Sequence, residues 1–124
     1  MYFCVAIGGA SGALLRFICV AYLEHVLGKD FPYGTAFVNI IGSLLIGIAF
    51  HSIQIMSLDN TIKLLIITGF LGGFTTFSSF SLDTVLLFEN ARYLKGVLNI
   101  FLNISTCIIM TFIGIYLTKF TLGK

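Results

Sequence analysis

Four long apolar segments limit what this chain can fold into. They cover residues 2–23, 34–55, 61–88 and 96–117, and a helix of about 20 apolar residues is enough to cross a bilayer. Charged residues make up 10% of the sequence, well below the roughly 25% of soluble domains. Because a helix satisfies its own backbone hydrogen bonds in lipid, the sequence predicts an all-α, multi-pass protein of the cell membrane. We expect a single four-helix transmembrane domain over residues 1–124.

The third apolar segment differs from the others in length and composition. Its 28 residues exceed the crossing length, and its centre, from Gly69 to Ser81, holds three glycines and five hydroxyl side chains. Glycine costs a helix about 1 kcal/mol per residue relative to alanine, so Gly72-Gly73 favours a break, which we expect near residues 72–75. The spacing of the phenylalanines in this region also places their rings on one helical stripe. They are Phe70, Phe74, Phe77 and Phe80.

Polar side chains inside the apolar segments need partners, and each has two interpretations. Asn39 either bonds to a neighbouring helix or contacts a transported solute, and the same alternatives hold for Asn99 and Asn103 on one face of the fourth segment. Arg16 lies about 21 Å along the first helix and either snorkels to the membrane surface or has a functional contact. The Gly8-x-x-x-Gly12 pattern predicts close packing of the first helix against another.

Basic residues are distributed evenly between the two ends of the predicted helices. Lys63, Lys119 and Lys124 lie on one side, and Lys29, Arg92 and Lys95 on the other. The positive-inside rule therefore selects no orientation, and the chain can insert both ways. An antiparallel, dual-topology homodimer is the closed assembly that this balance predicts. No basic run indicates a nucleic-acid partner.

The pattern of polar residues predicts a pathway for a small anion. No Asp or Glu lies at the middle of a predicted helix, which argues against proton-coupled cation export. Amides and hydroxyls donate hydrogen bonds, and the edges of aromatic rings carry the positive part of their quadrupole. Without Lys or Arg in the core of the third segment, binding would be weak enough for rapid release. The sequence lacks a nucleophile–base pair, a phosphate loop and a metal-ligand cluster, so we expect no enzyme activity.

Three blocks of the sequence resemble the signature blocks of the Fluc fluoride channels, also called CrcB. They are GGASGALLR at 8–16, GTAFVNIIGS at 34–43 and GFLGGFTTFSSF at 69–80, in the order of that family. The resemblance covers essentially the whole chain, and its third block is the most specific. It implies a dual-topology antiparallel homodimer with two pores that export cytoplasmic fluoride passively and relieve fluoride toxicity.

The resemblance also implies roles for individual residues. Phe77 and Phe80 would line the fluoride path with their ring edges, and Asn39 would contribute a hydrogen-bond donor to it. The backbone carbonyls of Gly72 and Thr75, from both subunits, would bind a structural sodium ion, Na+, at the centre of the dimer.

Other residues match the family pattern less directly. Arg16 matches the arginine that closes the first block and would lie at the pore vestibule. Ser79 and Ser81 lie on or beside the hydroxyl-bearing face of the third block. Asn99 and Asn103 stand where family members often have Tyr and Ser, and their amides would still donate hydrogen bonds to the ion.

Two other classes of protein share some of these features. A small multidrug-type proton antiporter also has four spans and dual topology, but it needs an acidic residue at mid-depth of the first span, where this chain has Glu24 only at the end. A membrane assembly factor without transport would use the small-residue faces for packing alone. Fluoride flux that needs no proton gradient separates the channel from both alternatives.

Overall fold

The protein is a bundle of four membrane-spanning helices. The structure is a computed structural model that describes residues 1–123, so Lys124, which entered the charge comparison, lies outside the described residues. Four helices are long and apolar enough to cross a membrane, and no strand occurs in residues 1–123. We call them spans 1 to 4. They run Tyr2–Leu27, Tyr33–Ile55, Asn60–Glu89 and Tyr93–Leu122. The predicted all-α membrane fold is confirmed.

Span 1 and span 4 continue past the ends of their apolar ranges, to Leu27 and Leu122. A helix retains its backbone hydrogen bonds in water, so it can continue beyond the surface of a membrane. Span 1 ends where Gly28 adopts φ 82°, a conformation that costs glycine little, and the Gly28 N–H donates to Glu24 O at 3.0 Å. Span 2 starts directly after Pro32.

Span 3 is bent, as predicted, and the break lies at Thr75 and Thr76. Thr75 has φ −84° and ψ 157°, and Thr76 has φ −151° and ψ 108°, so both are extended. Before the break the chain is helical, with π-helical residues Leu64–Leu71 followed by the α-helical turn Gly72–Phe74. After the break, the helix Phe77–Glu89 completes the span. The double glycine is therefore helical, and the chain departs from the helix just after it.

Packing, rather than flexibility, explains Gly69 and Gly73, two of the three glycines before the break. A methyl group on Gly73 would lie 2.5 Å from the carbonyl oxygen of Gly9, and one on Gly69 would lie 3.0 Å from Gly8 Cα. On the other helix, methyl groups on Gly8 and Gly12 would collide with backbone atoms of span 3. The close packing predicted for Gly8-x-x-x-Gly12 is confirmed, and its partner is the first half of span 3.

Further glycines bring the remaining helices together. Span 2 crosses span 4 where a methyl group on Gly47 would lie 3.2 Å from Gly114 Cα. Span 2 also meets span 1, because Gly34 lies against the backbone of Val20. Span 2 thus contacts both neighbours along its length, which fixes the position of Asn39 in its first half.

The break also separates the phenylalanines that the sequence placed on one stripe, so that expectation was wrong. Phe70 and Phe74 stack on each other before the break, with ring centroids 6.2 Å apart and planes inclined by 2°. Phe77 and Phe80 form an edge-to-face pair after it, at 5.1 Å and 71°. A stripe requires a continuous helix, and two extended residues change the direction of the second pair.

An ion cluster joins the connectors at one end of the bundle. Asp30 Oδ1 accepts a hydrogen bond from Arg92 at 2.7 Å, and Asp30 Oδ2 pairs with Lys95. The bond from Lys95, together with the charges of Lys95 and Arg92, holds the pKa of the Asp30 carboxyl below its ordinary value. All three groups are at least partly exposed, so the cluster aligns the start of span 4 with the connector between spans 1 and 2 but adds little stability.

The glycine contacts predict a difference between two adjacent substitutions. A methyl group at Gly8 would collide with Leu65 O and lie 2.9 Å from Phe70 N, whereas the nearest atom to a methyl group at Gly9 is Gly69 O at 4.0 Å. We expect Gly8→Ala to destabilise the fold by about 1–3 kcal/mol relative to Gly9→Ala. Thermal denaturation in detergent, followed by size-exclusion chromatography, measures the two midpoints. Equal midpoints would contradict the close contact between spans 1 and 3.

Candidate functional site

A cavity of about 240 Å³ lies beside the break in span 3. We call it the break cavity. Spans 2, 3 and 4 contribute to its wall, and it brings together several of the residues singled out from the sequence. Its lining consists of Asn39, Gly42, Ser43, Ile46, Thr75, Thr76, Phe77, Phe80, Asn103, Ile104 and Cys107.

Asn39 binds the broken backbone directly. Its Oδ1 accepts the N–H of Thr76 at 2.7 Å, and its Nδ2 donates to the carbonyl oxygen of the same residue at 3.0 Å. The second N–H of Asn39 donates to Asn103 Oδ1 at 2.8 Å. Asn39 is buried, so these bonds replace helical bonds that the break removes. Both alternatives for Asn39 remain compatible with this geometry, because the amide holds a helix and also lines a cavity.

Thr76 starts the second half of span 3. Its Oγ1 accepts the N–H of Ser79 at 3.2 Å and donates to Ser79 Oγ at 2.9 Å, an arrangement typical of a helix N-cap. The helix Phe77–Glu89 therefore begins at the wall of the break cavity. The N-terminus of a helix carries a partial positive charge and unpaired N–H groups, which favour an anion nearby.

The two phenylalanines of the cavity differ in exposure. Phe80 is buried, with 5% of its surface exposed, while Phe77 is 72% exposed. They contact each other edge to face, and both line the break cavity. A ring edge is the electropositive part of the aromatic system. Phe77 is thus presented at the outer surface of the single chain.

Arg16 contacts the break from the side of span 1. Its Nη1 donates to the carbonyl oxygen of Thr75 at 3.3 Å, and the side chain is half-buried. The guanidinium therefore lies at the break and makes a defined contact there. This places a positive charge next to a residue that lines the break cavity.

The other predicted residues lie around the cavity rather than in its wall. Asn99 is fully buried, and its Oδ1 accepts a hydrogen bond from Asn103 Nδ2 at 3.0 Å. Ser79 bonds to the Thr76 hydroxyl, and Ser81 is exposed on a later turn of the helix. Gly72 precedes the break and does not line the cavity.

The carbonyl oxygens of Gly72 and Thr75 are suited to a hard cation. In a continuous helix they would accept the N–H groups of Thr76 and Ser79, but those groups bond to Asn39 and to the Thr76 hydroxyl instead. The Thr75 oxygen accepts Arg16, and its second lone pair is available to another partner. Residues 1–123 hold no group of three His, Cys, Asp or Glu side chains placed for a metal ion.

Sequence reasoning did not assign several lining residues to the site. Gly42, Ser43 and Ile46 follow Asn39 at intervals of three, four and seven, so helical periodicity was the signal that could have found them. Thr is a preferred N-cap residue, and Thr76 directly precedes the helix that starts at Phe77, which was the signal that could have found it. Ile104 and Cys107 face the cavity from span 4, and only the packing of spans 2 and 4 decides this.

Comparison with known proteins identifies relatives over most of the chain. The family described as CrcB-like protein, Camphor Resistance (CrcB), matches residues 3–115. A protein of Aeromonas salmonicida named fluoride-specific ion channel FluC is 48% identical over 114 residues, which is 91% of each chain. Proteins of the same name from Pseudoalteromonas translucida and Shewanella woodyi are 46% and 43% identical, over 91% and 89% of this chain and 95% and 89% of their own.

The contacts of Asn39 predict that this residue is needed for a stable fold. In Asn39→Leu the buried N–H of Thr76 and the Asn103 oxygen lose their partner, and each unpaired buried group costs about 1–3 kcal/mol. Asn90→Leu is the matched control, because Asn90 is exposed and, within residues 1–123, its side-chain amide bonds only to Leu86 O. We expect thermal denaturation in detergent to show a large loss for Asn39→Leu alone. Equal losses would show that Asn39 does not hold the break.

Proposed function

The chain belongs to the CrcB family, and from this premise we propose that it is a passive, fluoride-selective channel that exports cytoplasmic fluoride and so relieves fluoride toxicity. The name shared by the relatives supports the identity of the ion. The observation that carries the proposal is the break cavity, where an uncharged, donor-rich wall meets the start of a helix in the middle of a membrane span.

The surroundings of the cavity favour an anion. The helix that starts at Phe77 contributes its positive end, and Arg16 contributes a full charge behind Thr75. No Asp or Glu is among the described residues that line the cavity. Fluoride is a strong hydrogen-bond acceptor, and hydroxyls, amides and ring edges can replace part of its water shell without holding it as tightly as a lysine would.

The residues of the path have different roles in this proposal. Asn39 donates to the ion, and Phe77 and Phe80 contact it through their ring edges. Arg16 raises the local anion concentration at the vestibule. Four further residues extend the polar surface along spans 3 and 4. They are Ser79, Ser81, Asn99 and Asn103.

We propose that the working unit is an antiparallel homodimer with two pores. Phe77 is 72% exposed in the single chain, and the cavity that it lines would otherwise face acyl chains. A second copy covers that side. Because the basic residues at the two ends are balanced, the copy can be inserted in the opposite orientation. Each chain contributes one break cavity, so the dimer has two pores.

A structural sodium ion at the centre of the dimer completes the proposal. Gly72 and Thr75 of each chain would hold it through carbonyl oxygens that have lost their helical donors. Oxygen ligands suit a hard cation, and two carbonyls from each of two chains would surround it. A bound cation neutralises the negative ends of two broken helices, which supports the break but takes no part in moving the anion.

The proposal predicts fluoride flux without proton coupling. Purified protein in liposomes loaded with fluoride should release it, and liposomes loaded with chloride should retain their anion. With potassium and valinomycin present to balance the charge that fluoride carries, we expect the rate to be unchanged by an imposed pH gradient or by a protonophore, because residues 1–123 place no carboxylate in the cavity. An ion-selective electrode measures the release. Flux that requires counterflow of protons would favour the proton antiporter. No flux at all would favour a membrane assembly factor, whose small-residue faces serve packing alone.

Two substitutions in the cavity wall test the path. Phe80→Ile removes a ring edge, and Asn39→Asp replaces a donor by a negative charge that repels the anion. We expect each to lower fluoride flux by about tenfold or more, which corresponds to roughly 1.4 kcal/mol in the barrier. Phe112→Ile is the control, because Phe112 is 60% exposed on span 4 and away from the cavity. Crosslinking verifies that each variant still forms a dimer. Normal flux in both cavity variants would contradict the proposal that the fluoride path runs through the break cavity.

A further inference from the structure

A ladder of buried hydrogen bonds continues from the break cavity toward the far end of span 3. Asn103 Nδ2 donates to Asn99 Oδ1 at 3.0 Å and to the Asn99 carbonyl at 3.0 Å. Asn99 Nδ2 donates to Thr84 Oγ1 at 2.9 Å, and Thr84 donates to the carbonyl oxygen of Phe80 at 2.8 Å. With the bond from Asn39 to Asn103, five residues in spans 2, 3 and 4 are connected. We call this set the amide ladder.

The end of the ladder at Phe80 sets the direction of the bonds that the Asn99 side chain makes. The carbonyl oxygen of Phe80 can only accept, so the Thr84 hydroxyl donates to it and its oxygen remains an acceptor for Asn99 Nδ2. The Asn99 amide is then oriented with its Oδ1 toward Asn103. The Asn99 backbone carbonyl also accepts from Asn103 Nδ2, which fixes the Asn103 amide in the same sense.

The other end of the ladder, where Asn39 bonds to Thr76, agrees with this direction. The Thr76 N–H can only donate, so Asn39 Oδ1 faces it and Asn39 Nδ2 faces Asn103 Oδ1. Turning either Asn99 or Asn103 by half a rotation would set two donors or two acceptors against each other. Such a conflict is costly where water cannot enter, and the Asn99 side chain is fully buried.

Both N–H groups of Asn39 are therefore occupied, by Thr76 O and by Asn103 Oδ1. An anion that takes a hydrogen bond from Asn39 has to replace one of these oxygens. The Thr76 carbonyl belongs to the backbone of the break, whereas Asn103 Oδ1 ends a side chain in the cavity wall. Of the two oxygens, Asn103 Oδ1 is the one that an arriving ion can replace without moving the backbone of the break.

We propose that Thr84, acting through Asn99, is a positioning residue that keeps Asn103 oriented for this exchange. The inference rests on the proposed fluoride function and adds to it a residue outside the cavity wall. Thr84 is buried on the helix that follows the break, and no role was predicted for it from the sequence. Its hydroxyl is suited to the end of the ladder because a hydroxyl donates and accepts at once.

The ladder predicts that the Thr84 hydroxyl controls flux from outside the path. In Thr84→Val the buried Asn99 N–H loses its acceptor, so the Asn99 amide is held only by Asn103 and no longer supports it from below, and we expect fluoride flux in liposomes to fall by about tenfold. Thr84→Ser keeps the hydroxyl and should restore flux to within about twofold of the wild type. If Thr84→Val does not elute as folded protein, Thr84→Cys replaces it, and a thiol, which is a weak donor and acceptor, should give an intermediate flux.

Thr118→Val is the matched control. Thr118 is buried in span 4, and its Oγ1 donates to Gly114 O at 2.8 Å, the same local bond that Thr84 makes to Phe80. No side-chain amide donates to Thr118 within residues 1–123, so its hydroxyl does not orient any amide group. We expect this variant to conduct as the wild type does.

A spectroscopic measurement separates positioning from general packing. The side-chain NH₂ groups of Asn39, Asn99 and Asn103 give ¹H–¹⁵N signals that report their hydrogen bonds. We expect these signals to move in Thr84→Val without added fluoride and to stay in place in Thr84→Ser and Thr118→Val. In the wild type, sodium fluoride should shift the Asn39 and Asn103 signals, whereas sodium chloride should not.

The outcomes separate this inference from the function on which it rests. A conducting wild type together with normal flux in Thr84→Val, or with equally low flux in Thr84→Ser, overturns the role of Thr84. A wild type that does not conduct fluoride defeats the proposed function instead. In that case the amide signals still decide the ladder, because unmoved signals in Thr84→Val overturn it.

Discussion

The hydrogen bonds between Asn39 and Thr76 are the interaction on which the rest of this structure depends. A break inside a membrane helix releases N–H and C=O groups that lipid cannot satisfy. The Asn39 amide pairs with both the N–H and the C=O of Thr76, as a neighbouring strand would do in a sheet. A single side chain from a different span thus stabilises two extended residues inside the bilayer.

Glycine contacts between the spans position Asn39 beside Thr76. Spans 1 and 3 approach each other through Gly8, Gly12 and Gly73, and spans 2 and 4 approach through Gly47 and Gly114. With so little side-chain volume between the backbones, each helix has one position along its neighbour. Asn39 therefore meets Thr76 rather than the residue before or after it, and Asn103 reaches Asn39 from span 4.

At the break, backbone groups with partial charges of opposite sign lie close together, because only two extended residues separate the two helical parts of span 3. Carbonyl oxygens of Gly72 and Thr75, which have lost their helical donors, lie on one side, and the start of the helix at Phe77 lies on the other. Carbonyls favour a cation and a helix N-terminus favours an anion. The same two extended residues therefore explain why a structural cation and a mobile anion are proposed for neighbouring places.

The sequence by itself determined the four spans, the bend in span 3, the small-residue face of span 1 and the importance of Asn39, because hydropathy, glycine spacing and buried amides are local properties. It did not determine that the break falls at Thr75 and Thr76, that the phenylalanines form two separate pairs, or that Thr84 ends a ladder through Asn99. Those features depend on which atoms meet across three helices. Only the packing of the spans decides which donors of the buried amides are already occupied, because the partners of Asn39 and Asn99 lie too far along the chain for any local pattern to reveal them.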